Sequence, residues 1–309
     1  CISAAIGFLC LAFADTLTLL AFGIALAGMS AGLCWSPFND AAERVVPSDI
    51  RSSALSAVST GTALGVAATG LFFLSVSYEY IAWRRAWIVF AGMSVLAALM
   101  ACIGLPKGRG KNTESTDGPA RLLHVSAIPL YIAALCFGAS NAVYISFAAD
   151  HVATMGGLPG LTERAAPAII FIGYGIFGLV GLGTGRMEHI FGLYALLGII
   201  FAAFASSLFL VAFWPLSWPA VLLSAGLHGA AVMMISAVLS FWSLRLYPGQ
   251  SSLGFTIALI AVAISSVLAP LIAGMIADYI DLKTAFFVMA IIPSIAMLFF
   301  LKRVLNLTF

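Results

Sequence analysis

Read only as hydrophobic and polar positions, the chain is a series of long apolar runs separated by short polar turns. Ten runs stand out, at 1–13, 19–38, 54–76, 86–106, 123–149, 166–184, 192–213, 219–244, 253–277 and 285–301. Most reach or approach the roughly 20 residues that an α-helix needs to cross a bilayer. The runs are continuous and rich in Ala, Leu, Gly and Ile, without the two-residue alternation of a membrane β-barrel. The pattern therefore predicts ten transmembrane helices. One stretch breaks it: KGRGKNTESTDGPAR, at 107–121, is the only long hydrophilic linker. Its Gly, Ser, Thr, Asn and Pro argue against regular structure. It divides four helices (1–106) from six (122–309).

Two of the runs carry small residues at helical spacing. Gly28 and Gly32 are four apart on the second run, and Gly61 and Gly65 are four apart on the third. Small residues at i and i+4 let helices approach closely in lipid, so this pattern predicts that the second and third helices pack together around a charged elbow, AERVVPSDIRSS. A weaker copy of the same order recurs in 221–270, where Gly226 and Gly229 lead to the turn RLYPGQSSLG. The copy falls one helix pair later in its half. Two halves of six helices are expected from that offset, with the first pair of the first half preceding Cys1. Such parallel repeats are a transporter architecture.

Composition sharpens the class. The 309 residues are 62% hydrophobic and 8% charged, against about 25% charged in a soluble domain. An all-α, multi-pass membrane protein follows. A net charge of +2 gives no reason to expect a nucleic-acid partner. The five cysteines all lie in apolar runs, with no CxxC pair and no histidine at ligand spacing, so neither metal nor cofactor is expected. If the first run starts in the cytoplasm, ten of the 14 Lys and Arg fall on the cytoplasmic side and four outside. The positive-inside rule then places the linker and both ends in the cytoplasm. Trp83, Trp87, Trp214 and Trp218 gather at the outer interface, where indoles favour the headgroups.

Several motifs together resemble the major facilitator superfamily (MFS). Gly28-x-x-x-Gly32 with Pro37 resembles its fourth helix. Pro47, Arg51, Gly61, Gly65 and Gly70 resemble the turn into its glycine-rich fifth. Trp83-Arg84-Arg85-Ala86-Trp87 resembles the start of the sixth, and Ala269-Pro270 with Gly274 and Asp278 the end of the eleventh. Two positions depart from the pattern: Ile24 stands where many members have an arginine, and Gly185 stands where an acid precedes Arg186. The resemblance implies an MFS-type bundle of two pseudo-symmetric six-helix halves, here with helices three to twelve. It implies a secondary transporter of a small solute working by alternating access, in a bacterial inner membrane, as a monomer, with a proton as a candidate coupling ion.

In that superfamily helices one, four, seven and ten line the cavity, and the last three of these direct attention to polar residues on three runs. On 123–149 these are Tyr131, Asn141 and Tyr144; the last two are three apart and share a face. On 219–244 the notable group is His228, able to hydrogen-bond a solute or exchange a proton near neutral pH. On 19–38 and its polar end they are Trp35 and Asn39. For each, the bland reading is core packing or an interhelical hydrogen bond; an amide or imidazole in a span is costly and points to the protein interior. Asp40, Glu43, Arg44 and Arg51 are candidates for a cytoplasmic gate, with Asp40 and Arg44 four apart; the rival reading is a solvated helix end. No acidic residue sits in the middle of a span. A membrane enzyme would cluster His, Asp or Glu at one interface, and the four histidines here are scattered. A transport-like sensor or structural subunit is the other alternative.

Overall fold

The computed structural model describes residues 1–78, 82–104, 125–162, 165–248 and 251–307, without the side chains of 36–40, 43–44, 104, 251–252 and 306–307. The expected linker, 107–121, lies outside the described residues. Those residues are helical throughout their ordered elements: α1 (Ile2–Ala12), α2 (Leu17–Val45), α3 (Arg51–Ser77), α4 (Trp83–Gly104), α5 (Ile128–Thr154), α6 (Ala166–Gly178), α7 (Thr184–Phe191), α8 (Leu193–Phe213), α9 (Trp218–Leu246), α10 (Ser251–Tyr279) and α11 (Leu282–Leu307). A 3-10 segment, Leu179–Gly183, joins α6 to α7 within one membrane-length rod. The rods therefore run antiparallel in sequence. The face where α4 ends and α5 begins is the linker face, and the opposite one is the far face. Among the described residues nine of the rods are long and apolar enough to cross a bilayer, and Ile2–Ala12 is a shorter apolar helix.

The helix at the centre is α9. Its membrane window is 78% buried, against 6% for α2 and 11% for α4. A helix that is apolar all round has no face to give to water and belongs in a core. Small residues (Ser224, Ala225, Gly226, Gly229, Ala231, Ser236, Ala237) let α6, α8, α3 and α10 close around it. On the outside of the bundle, large side chains such as Leu99, Ile103, Val267 and Leu298 are exposed, as expected where the solvent is lipid. Backbone and hydroxyl groups find partners within their own helices: Ser56, Thr60, Thr69, Ser94, Ser236 and Ser294 all donate to the carbonyl four residues back. This is how polar atoms are satisfied where no water reaches.

Helix pairing differs from the glycine-based expectation. Gly28, Gly32, Gly61 and Gly65 have no neighbouring heavy atom within 4 Å of a would-be Cβ. The main partner of α2 is α1, and the main partner of α3 is α6, with only a brief meeting of α2 and α3. The close approaches belong to other glycines. Gly175 meets Ala63 and Ala67, Gly178 meets Ala63 and Met233, Gly181 meets Thr60 and Met233, and Gly70 meets Ile172. These place α6 and the 3-10 segment against the middle of α3, over Thr60 to Gly70. Spacing showed that small residues were present; it carried no information about which rod each would face.

Candidate functional site

The polar side chains at mid-span converge on α9. His228 is fully buried, at 0% exposure. Its ring stacks on Tyr144 of α5, centroids 3.9 Å apart and 12° between planes. Phe204 of α8 presents its ring at 4.9 Å, near perpendicular. Nδ1 lies 2.7 Å from Ser207 Oγ. Tyr144 bonds Ser224 across the α5–α9 contact at 3.1 Å, and Ser224 donates to the Ser207 carbonyl at 2.7 Å. Next to this chain, Tyr174 of α6 lies 5.9 Å from the imidazole and donates to Asn141 Oδ1 at 3.2 Å. Four helices, α5, α6, α8 and α9, thus hold a cluster of uncharged polar groups in an apolar surround.

Tyr174 also lines a groove of about 660 Å³. Phe8, Phe72 and Phe90 come to it from α1, α3 and α4, and Ile145, Phe171 and Tyr174 from α5 and α6. These positions lie in the far-face half of their helices. Toward the linker face, among the described residues, Trp35 of α2 stacks on Phe255 of α10 at 6.0 Å and 23°, beside a void of about 20 Å³ edged by Leu55, Ser59, Ser236 and Ser240. The four-plus-six rods thus touch along α3–α6 and α2–α10 while a groove stays open between them on one side.

Of the sequence candidates, Asn141, Tyr144 and His228 are brought together. Tyr131 is not with them: its hydroxyl meets that of Tyr247 at 2.5 Å, about three helical turns toward the linker face. Gly254 allows α10 to press on the Tyr247 ring, which fixes that pair. Trp35 belongs to the closed seam. The side chains of Asn39, Asp40, Glu43 and Arg44 lie outside the described residues. Arg51 bonds the Val46 carbonyl through Nε and a terminal nitrogen, at 3.2 and 3.0 Å, closing the α2–α3 elbow. Three cluster members escaped the sequence reading: Tyr174, Ser207 and Ser224. Their signal was available, since each is a polar residue inside an apolar run, but only the three-dimensional contact separates them from serines that bond their own helix.

At the linker face a second polar contact forms. Arg245 at the end of α9 grips Glu188 of α7 with two nitrogens, at 2.7 and 3.0 Å. Gly192, at φ 78°, ends α7 and returns its N–H to the Glu188 carbonyl at 2.8 Å. The positive φ is glycine's to adopt. Within GLGTGRMEHIFG, then, Glu188 is the residue paired with the neighbouring rod.

Bundled apolar rods in two groups, a groove between them and polar groups at mid-depth define a membrane transporter fold. The family model described as Major Facilitator Superfamily matches residues 1–187, more than half of the 309, and the chain belongs to that family. Among solved structures it is similar to the E. coli fucose:proton symporter FucP, with a TM-score of 0.64 and 16% identity over 98% of this chain and 81% of that one. At that identity the likeness is one of fold.

Proposed function

We propose that this chain is a secondary active transporter that moves a small solute across a bacterial inner membrane by alternating access. The two bodies are 1–106 and 122–309, joined through 107–121, with the linker and both ends in the cytoplasm. The observation that carries the reading is the asymmetry of the space between them: tight stacking of Trp35 on Phe255 on the linker side, and an open groove toward the far face. That is the shape of a carrier facing outward. Tyr174 lines the groove, and Asn141, Tyr144 and His228 behind it are the proposed solute-binding groups, because buried polar groups in a bilayer are costly and are kept where they act. Tyr131, Trp35 and Asn39 belong to the linker-side closure, and Asp40, Glu43, Arg44 and Arg51 to the gate that opens it.

FucP is named as a fucose:proton symporter. By analogy a neutral, hydroxyl-bearing solute and a coupling proton are the first candidates for this protein. The uncharged lining agrees with that class, since a strongly anionic solute calls for a buried cation. The test is exchange of radiolabelled neutral solutes, sugars and polyols first, in proteoliposomes of the full-length protein. Accumulation against a gradient supports the reading. Flux no greater than in empty liposomes across neutral, zwitterionic and amphipathic solutes overturns it.

A further inference from the structure

Proton counting leaves one acceptor over at the heart of the cluster. Ser224 gives its single hydroxyl proton to the Ser207 carbonyl, so in its contact with Tyr144 it must accept. Ser207 gives its proton to the Phe204 carbonyl at 2.8 Å, so in its contact with His228 it also accepts. The imidazole is therefore the donor there, through Nδ1–H. A neutral imidazole carries only one such proton. Nε2 is then a bare lone pair. It is buried and has no hydrogen-bond partner among the described residues. Buried polar atoms in native proteins are nearly always paired, and an exception asks for an explanation.

The two nitrogens point to well-separated sides of the ring, so with Nδ1 turned to α8, Nε2 turns away from it. The groups around the ring are Tyr144, Tyr174, Phe204 and Ser207, all uncharged. Tyr174 is the member shared with the groove. We propose that His228 Nε2 is the acceptor for an O–H or N–H of a neutral solute that enters from the groove past Tyr174. This rests on the transport reading above and narrows it. A carboxylate or phosphate would set oxygen lone pairs against a lone pair, and an ammonium ion would enter a cage with no carboxylate. The matching ligand is a small neutral molecule with hydroxyl or amide donors, one of which is read here.

Asparagine and glutamine separate the two nitrogens. An asparagine amide overlays Nδ1 and can still donate to Ser207; a glutamine amide overlays the Nε2 position and can still accept. The full-length protein is labelled with 15N-histidine in nanodiscs, and the His228 signal, one of four histidines, is assigned by its loss in His228→Asn. The expected resonance is that of the neutral Nδ1–H tautomer, and its Nε2 shift moves on adding a neutral solute that the same preparation carries in liposomes. His228→Asn is expected to remain folded but to melt somewhat below wild type, because the smaller side chain gives up ring packing on Tyr144 and Phe204. It is expected to lose affinity for that solute roughly ten-fold or more, the cost of one hydrogen bond in a dry site. His228→Gln is expected to retain more of it. An Nε2–H tautomer, an imidazolium at neutral pH, or wild-type affinity in His228→Asn overturns the proposal while leaving transport intact. A wild-type protein that carries no solute overturns the transport reading, and this proposal with it.

Discussion

Gly229 of α9 lies directly against the backbone carbonyl of Tyr174 on α6, with no space for a Cβ. Backbone cannot yield as a flexible side chain can, so Gly229→Ala must push the two helices apart. Overpacking of this kind costs about 1–3 kcal/mol, sometimes more. The same shift would carry Tyr174 away from His228 and from the groove. Thermal unfolding in detergent is expected to show a lower midpoint for Gly229→Ala, together with weakened solute binding. An unchanged midpoint would mean that α6 and α9 are not in contact here.

The α3–α6 seam is held by the same device. A Cβ at Gly175 would run into the backbone of Ala63 and the backbone and side chain of Ala67, and a branched residue has nowhere to go. Gly175→Val is expected to lower the yield of monodisperse protein and to destabilise what remains by at least as much as the α6–α9 change, on the order of 2–3 kcal/mol. Size-exclusion profiles and melting curves measure both effects; a monodisperse, fully stable Gly175→Val protein would refute the seam.

Arg245 and Glu188 make a two-pronged ion pair, with the guanidinium side chain about half exposed at 52%. Exposed pairs contribute about 0.2–1 kcal/mol, and good bidentate geometry favours the upper end. Glu188→Gln should lower the melting temperature slightly at low salt. Because mobile ions screen the pair, the difference should shrink at high salt. A gap that grows with salt would point to packing instead of charge.

Asp281 caps α11. Its Oδ1 accepts from the Thr284 N–H at 2.6 Å, and bonds from the Thr284 side chain and backbone, with a lesser contribution from nearby Lys283, hold its carboxyl below the usual value. A depressed carboxyl stabilises the fold above its unfolded pKa, near 4, and that stabilisation is lost as the pH falls through the folded value. Asp281→Ala should therefore melt below wild type at pH 7, with the two curves converging under acid conditions. Asp281→Asn, which keeps an acceptor, should fall between them.

The rods were legible because a bilayer demands long apolar runs, and the breaks at Pro47, at Trp214 to Trp218 and at Gly192 mark turns that no helix continues through. The broken rod at Leu179–Gly183 was not legible. Its sequence, LVGLG, is as apolar as the helix before it, and the 3-10 geometry arises where Gly181 is pressed between Thr60 and Met233. The site was half legible. Asn141, Tyr144 and His228 stand out as polar residues in apolar runs, and the fold unites them. Tyr131 stood out equally and proved to serve Tyr247, since polarity marks a residue as needing a partner without naming the partner. Ser207 and Ser224 look like any other span serine until the α8–α9 crossing brings them to the imidazole.

The central claim is that the groove and the Trp35–Phe255 seam open in alternation. Its most direct test places cysteines at both seam positions, Trp35→Cys and Phe255→Cys, in a protein whose five native cysteines are replaced by alanine, and reconstitutes it in liposomes. Oxidative or bifunctional cross-linking should abolish solute exchange, and reduction of a disulfide should restore it. Exchange that continues at the same rate with the seam fully cross-linked would contradict the account.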